Sequence, residues 1–381
     1  MRRAYKYRLH PNRNQARELD IMLETHRRLY NDCLAQRKEA YEKEKRSIKY
    51  TDQSAWFKLQ RVDNPWFAKL NFSSAQATMR RLNKAFQNFF RRVKIGDKPG
   101  YPRFKANGRF DSIEFPKHGD GIRLIDNKVR IQHVGMVKVK IHREHQGIIK
   151  TLSVKKEAEK WFLVLSCDLG EQYVQPTSEA EIGLDLGINA FLATSDGEMV
   201  ENPRFLNNEL KELRRVQRSV SRKKLRGKNR AKTVKRLRTL HQLIRNKRND
   251  FHHKLALEFT QRYGLIAVES LSVKNMQKNH RLARSIADVG WSNFLAILKY
   301  KAEEAGHQVI EVDPKGTSQQ CSACGATVKK SLSVRVHRCS CGLVLDRDVN
   351  AARNILKLGL GRANGTQRLA LASVSQEAVV L

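Results

Sequence analysis

Acidic residues are scarce in this chain: 38 Asp and Glu stand against 74 Lys and Arg in 381 residues, leaving a formal charge of +36. That imbalance points to a polyanionic partner, because basic side chains gain affinity by releasing the counterions condensed on phosphates, and nucleic acid is the expected one. Long apolar runs are missing as well. No stretch approaches the roughly 20 apolar residues of a membrane span, and MRRAYKYRLHPN lacks the apolar core of a signal peptide. The expectation is a cytosolic chain with no membrane role. The glycine-rich turn and lysine of a Walker loop are absent, which argues against an ATP-driven motor. Cysteine is sparse, at six residues. A chain this large, without a secretory signal, does not need disulfide staples. Hydrophobic residues make up 40% of it, enough for two or three packed domains.

Three of the few acids stand in telling places. GLDLG at 183–187, IAVES at 266–270 and DRDVNAARNI at 346–355 each put a carboxylate at the end of an apolar run or the start of a helix. Asp185, Glu269 and Asp348 are so far apart in sequence that only a folded domain can gather them. Gathered, they suit a pair of Mg²⁺ or Mn²⁺ ions, since hard divalent cations take oxygen ligands and a two-metal site stabilises both the attacking and the leaving oxygens of phosphodiester hydrolysis. Asp346 is the second candidate for the third carboxylate. Strands bearing Asp185 and Glu269, then a helix bearing Asp348, describe an RNase H-like α/β domain.

Four of the six cysteines are paired. Cys321 and Cys324 form C-x2-C, and Cys339 and Cys341 form C-x-C, with 14 residues between the pairs. Closely spaced thiolates across a short hairpin match a four-coordinate structural Zn²⁺. The C-x-C arm is one residue tighter than the usual knuckle, so His337 is a possible substitute ligand. Cys33 and Cys167 lie in apolar stretches and read as core thiols.

Along the chain, residues 1–10 read as a strand that Pro11 breaks. From about 13 to 45, Leu19, Leu23, His26, Tyr30 and Cys33 recur at helical spacing. In a second helical block, Ala75, Leu82, Ala85, Phe89 and Phe90 are expected to line one face, with Arg80, Arg81, Lys84, Arg91 and Arg92 around the rest. Residues 98–178 then alternate as strands do, with Asp126-Asn127 as a hairpin turn. They predict a small β-barrel or sheet. The first strand has no local partner and is expected to pair there, with helices 11–97 inserted. Asp196-Gly197 marks another hairpin. Between 211 and 254, 18 Lys or Arg meet only Glu212 and Asp250, over an apolar stripe. This reads as a basic helical hairpin lying on phosphates. A helix from Asp348 to about Leu358 and a flexible tail at 359–381 complete the chain.

The chain resembles one family closely. YKYRLHPNRNQ, RLYNDCL (28–34), PGYPRFK (99–105), GLDLGI, RNDFHHK (248–254), VESL, VGWSNFLAILKYKAEEAG and the GTSQQCSACG/CSCGLVLDRDVNAARNI pair are similar to TnpB, the OrfB protein of bacterial insertion sequences, related to type V CRISPR effector nucleases. The resemblance spans residues 1 to about 358 and implies an RNA-guided DNA endonuclease of a transposable element. Its partners would be a guide RNA and double-stranded target DNA with a short flanking motif. The expected location is the bacterial or archaeal cytoplasm, associated with the nucleoid; a monomer is favoured, and the sequence leaves the oligomeric state open. The implied architecture is α+β and multidomain: a wedge-like β-barrel from 1–10 and 98–178, a helical recognition domain at 11–97, and a RuvC-type nuclease domain at 179–358 with a zinc hairpin at 316–343. Carried over, Asp185, Glu269 and Asp348 are the metal-binding carboxylates, and Cys321, Cys324, Cys339 and Cys341 hold zinc. Arg103, Lys105, Arg245, Arg248 and Lys254 are candidates for phosphate contact. Gln76 is a candidate base reader, because a primary amide can bond adenine edges. Two alternatives stand beside this reading: a transposase-like protein that reads its site directly, through amino-terminal helices, and a guided binder without cleavage.

Overall fold

Alternation in the first ten residues decides where they go. Tyr5, Tyr7 and Leu9 are buried while Lys6 and His10 are exposed, so one face of this strand must lie on a core. The computed structural model describes residues 2–170, 176–331 and 334–377, with side chains as far as 363. It divides into two units, Met1–Gln172 and Tyr173–Leu381.

The amino-terminal unit runs β1 (Arg2–His10), α1 (Arg13–Glu44), α2 (Tyr50–Asp63), α3 (Pro65–Ala68), α4 (Phe72–Lys94), β2 (Ser112–Phe115), β3 (Ile122–Ile125), β4 (Lys128–Ile131), β5 (Gly135–Lys140), β6 (Ile148–Glu157) and β7 (Lys160–Asp168). The strands form one sheet in the order β2-β6-β7-β1-β5-β4-β3. β1 is antiparallel to both β7 and β5, so the helices are inserted after a central strand. The expected barrel is not closed: β2 and β3 are edges. Closure needs hydrogen bonds between those edges at a fixed stagger, and each edge strand is four residues long. A helix covers the β2 edge instead. Arg81 of α4 donates to the Ser112 carbonyl at 3.1 Å.

Pro11 ends β1, and Asn12 caps α1, its side chain accepting from the Gln15 N–H at 2.8 Å. Leu19, Leu23, His26, Tyr30 and Cys33 are all buried. On α4 the buried stripe is Ala75, Met79, Leu82 and Phe86, whereas Phe90 is 59% exposed. The expected Phe89 and Phe90 face overhangs the core, so these rings cover each other and Tyr101, with Phe89 5.2 Å from Phe90 and 5.3 Å from Tyr101.

His26 is fully buried between Thr78 Oγ1 at 2.8 Å and Ser74 Oγ at 3.3 Å. Burial, aided by Arg81, pushes its imidazole down from 6.5 to about 3. The unfolded chain therefore binds this proton first as pH falls. Folding stability should drop from about pH 6.5 toward 3 by up to about 1.4 kcal/mol per unit from this one group. Urea unfolding at pH 7 and pH 5 is expected to show a shallower acid loss in His26→Gln than in the parent; equal losses would refute it.

The second unit contains β8 (Glu181–Leu186), β9 (Ala190–Thr194), β10 (Met199–Glu201), α5 (Phe205–Asn208), α6 (Leu210–Arg222), α7 (Lys228–Arg262), β11 (Leu265–Glu269), α8 (Val273–Met276), α9 (Ala283–Val289), α10 (Trp291–Glu304), β12 (Gln308–Val312), β13 (Val336–Arg338), β14 (Val344–Asp346) and α11 (Arg347–Glu377). Its main sheet is ordered β10-β9-β8-β11-β12, with β8, β11 and β12 parallel. Ile182, Leu184, Ile266 and Val268 face α7 and α10 through Leu255, Phe259, Trp291 and Phe294. The other face takes α11. A Cβ at Gly183 would lie 2.1 Å from the Ala352 carbonyl, and one at Gly359 2.5 Å from the Ala267 Cβ, so glycine sets this close approach. The expected tail from 359 is helical to Glu377. The segment is free of proline, and its Ala, Leu, Arg and Gln residues continue a helix readily, against the cost of three glycines. Residues 378–381 lie outside the described part. Among the described residues, no helix is long and apolar enough to cross a membrane.

Candidate active site

Strand period does most of the work in building this site. Gly183 and Ala267 face α11, so Asp185 and Glu269, two residues on, share that face. β8 and β11 are paired in parallel up to Leu184 and Val268, which makes Asp185 and Glu269 neighbours at one sheet end. Asp348, Ala352, Ile355 and Gly359 form one stripe along α11. Ala352 lies at Gly183. Four residues of helix back to Asp348 cover about 6 Å, and two residues of strand on to Asp185 cover about the same. The third carboxylate therefore comes level with the first two.

The charges feel one another. Asp185 is raised well above the usual carboxylate range, first by burial and then by Glu269 and Asp348, with Arg347 opposing and Asp346 adding to the rise. Burial also raises Glu269, against a hydrogen bond from the Thr317 hydroxyl at 2.6 Å. Carboxylates gathered in a desolvated pocket repel unless a cation joins them, and oxygen donors of this kind fit Mg²⁺ or Mn²⁺.

The two aspartates of DRD have different jobs. Asp346 Oδ1 accepts from the N–H groups of Asp348 at 2.8 Å and Val349 at 3.3 Å, which makes it the cap of α11. Asp348 has its side chain on the stripe, held by Arg347 at 2.8 Å and by Arg335 at 3.4 Å. Sequence reasoning missed three residues that brace this arrangement. Thr317 supports Glu269, while Asn354 donates to the carbonyls of Thr317 and Gln320, both at 2.8 Å. Asn350 is fully buried, donates to the Gln320 carbonyl at 2.7 Å and accepts from the Ser322 N–H at 2.9 Å. Two asparagines four apart on a helix that otherwise buries Val349, Ala351, Ala352 and Ile355 were the available signal.

That braced loop leads into the cysteines. The sulfurs of Cys321, Cys324, Cys339 and Cys341 all lie within 4.8 Å of one another, the donor set of a tetrahedral structural zinc site. Gly325 and Gly342, at φ 78° and 90°, let each cysteine turn fold back. The tight C-x-C arm therefore closes with four sulfurs. His337 is buried with Nδ1 against Lys330 Nζ, outside the set. The N–H groups of Cys324 and Ala323 hold the Cys321 thiol down at about 5 against the effect of desolvation, favouring a thiolate.

The expected nucleic-acid contacts divide. Arg103 is exposed. Lys105 has its backbone clamped by Arg27 and Asn31, with its ammonium 5.5 Å from the centre of the Tyr30 ring. Gln76 donates to Ser54 at 3.3 Å, tying α4 to α2. Arg245 is exposed, and Lys254 is exposed and pairs with Asp250 at 2.8 Å. Arg248 departs from expectation. It is turned inward on Asp288 at 2.9 Å, because Asp288 is nearly buried and needs a counter-charge.

Three family models match the chain: "Helix-turn-helix domain" over residues 1–46, "Probable transposase" (IS605 OrfB) over 147–280, and "Cas12f1-like, TNB domain" over 291–355. A "Putative RNA-guided DNA endonuclease" of Streptomyces pristinaespiralis is 31% identical, across 94% of this chain and 90% of its own length. The "Putative RNA-guided DNA endonuclease InsQ" of Escherichia coli (strain K12) is 30% identical, across 93% and 92%. The chain belongs to the TnpB family. A "CRISPR-associated endodeoxyribonuclease Cas12f1" of Sulfoacidibacillus thermotolerans is 24% identical, across 75% and 77%. The TnpB-type transposase match spans Asp185 and Glu269, and the match at 291–355 spans the four cysteines and Asp348. Among the described residues, 2–46 hold one strand and a single helix of 32 residues, with no pair of helices joined by a turn.

Proposed function

We propose that this chain is an RNA-guided DNA endonuclease of a transposable element, and that it hydrolyses target phosphodiesters at Asp185, Glu269 and Asp348. The reading is supported above all by the convergence of those three carboxylates at one sheet end, two of them raised by burial, in a chain of charge +36. They would hold Mg²⁺ or Mn²⁺, which when bound supplies an activated water and neutralises charge on the leaving oxygen. Asp185 feels the charge of both other carboxylates. Thr317 orients Glu269, and the Asp346 cap fixes the helix end that presents Asp348. In this reading residues 1–10 with 98–178 form the sheet domain, 11–97 the recognition helices and 179–358 the RuvC-type nuclease domain, with zinc in the cysteine cluster at 316–343.

A second observation fits a nucleic-acid partner. On the outward face of the amino-terminal sheet, Arg123 stands opposite Arg130, Lys128 opposite Lys138, and Lys140 opposite Arg8. Like charges directly opposed are destabilising. A phosphate backbone along this ladder removes the repulsion, and guide RNA is the polyanion the reading requires.

Guided cleavage and direct reading give opposite results. Protein stripped of RNA is expected to bind DNA weakly, with steep salt dependence and little preference. RNA matching the element's own flank should create site-specific cutting, blocked more by mismatches beside the flanking motif than by distant ones, as pairing nucleates there. Specific duplex cleavage by RNA-free protein would favour a conventional transposase or nuclease.

A further inference from the structure

Past the turn that follows Asp185 lies a cavity of about 290 Å³, lined by Asn189, Asn202, Arg204, Asn207, Arg284 and Asp288. None of these residues belongs to the carboxylate site. The one acid among them is already engaged: Asp288 accepts from the Leu206 N–H at 2.9 Å and 3.0 Å and pairs with Arg248 at 2.9 Å. Asn202 is also occupied. Its amide donates to the Ile188 carbonyl at 2.6 Å, and its oxygen accepts from the Arg204 N–H at 3.0 Å. These bonds hold Arg204 at φ 48°, a left-handed conformation uncommon outside glycine, asparagine and aspartate. Arg204 and Arg284 are both exposed. Among the described residues, neither makes an ion pair.

Two arginines without an ion pair, beside Asn189 and Asn207 in one concave wall, suit an oxyanion. In a chain this basic, acting on nucleic acid, the matching oxyanion is a backbone phosphodiester. The topology fixes how near it lies to the carboxylates. β9 is antiparallel to both β8 and β10, so β8 and β10 run the same way. Asn202, just past β10, therefore lies at the sheet end that carries Asp185. Asn189 follows Asp185 by four residues, so their Cα atoms are no more than about 15 Å apart. With phosphates about 3.4 Å apart in rise along each strand of B-form DNA, that span reaches about two to four nucleotides.

We propose that this cavity is a phosphate subsite which grips the strand being cut a few nucleotides from the scissile bond, with Arg204 and Arg284 as positioning residues. The proposal rests on the nuclease reading and adds to it a fixed grip that sets the register of the cut. A subsite of this kind discriminates by charge and not by base, so it suits an enzyme whose sequence selection comes from pairing elsewhere.

The test neutralises both partners. Guide-loaded protein would be assayed in single turnover on targets carrying one uncharged methylphosphonate at each phosphate flanking the cut in turn, beside Arg204→Gln/Arg284→Gln and Arg284→Lys. The parent is expected to lose about tenfold at one phosphate within four nucleotides of the cut, the worth of one charge-assisted hydrogen bond. The double variant should be about tenfold or more slower on native DNA, yet lose nothing further at that phosphate. Arg284→Lys should recover part of the rate, and thermal melting should match the parent in every variant. Parental rates in the double variant, or losses that multiply at every phosphate, would overturn the subsite while leaving the nuclease reading intact. A parent complex that cuts nothing would instead defeat the nuclease reading, and the subsite with it.

Discussion

Replacing Asp185, Glu269 or Asp348 by Ala is expected to slow guided cutting by at least about 10³-fold, since on the proposed reading each change removes a ligand from a site whose metal would supply several kcal/mol of transition-state stabilisation. Guide and target binding should stay near the parental level, because on this reading these side chains hold metal and not the phosphate backbone. The sharper outcome is the contrast within DRD. Asp346 caps α11 through two backbone N–H groups, so Asp346→Ala should cost about 0.5–2 kcal/mol of stability and leave measurable cutting. Asp346→Asn keeps an acceptor and should restore the parental melting temperature. If Asp346→Ala abolishes cutting at full stability while Asp348→Ala still cuts, the two roles are reversed. EDTA should stop the parent and added Mg²⁺ restore it.

The placement of the candidate site residues was legible in the sequence wherever a local pattern fixes an orientation. A carboxylate two positions beyond a glycine or alanine that faces a helix must share that face, so GLDLG and IAVES reveal Asp185 and Glu269. A helix stripe does the same for Asp348. Thr317 escapes, because a hydroxyl in GTSQQC has no period and meets Glu269 only through a loop that Asn350 and Asn354 hold in place. Arg248 misleads for the opposite reason. A run of cations reads as a phosphate-facing surface, and nothing local tells which member turns inward to an aspartate forty positions on. Phe86 and Phe90 lie on one helical stripe and differ only in where the core ends. The open sheet has the same origin, since closure depends on contacts between edges and leaves the alternation within each strand unchanged.

The cysteine cluster connects to the carboxylates by a chain of bonds, and this makes its removal informative. Cys321 sits between Gln320, whose carbonyl takes both Asn350 and Asn354, and Ser322, whose N–H is bound by Asn350. Asn354 also bonds the carbonyl of Thr317, which holds Glu269. The purified parent should contain one zinc per chain, and metal analysis that finds none would remove the basis of this prediction. Cys321→Ser or Cys324→Ser should lower the melting temperature, because structural zinc contributes folding free energy directly. Cutting should fall by about 10–100-fold, the range seen when the support of a metal-binding group is lost. Asn350→Ala separates the two effects, since it cuts the connection and leaves all four sulfurs in place. It is expected to keep its zinc and still lose cutting. A variant with parental cutting and full zinc would show that the cluster stabilises its own hairpin and does nothing to position Glu269 or Asp348.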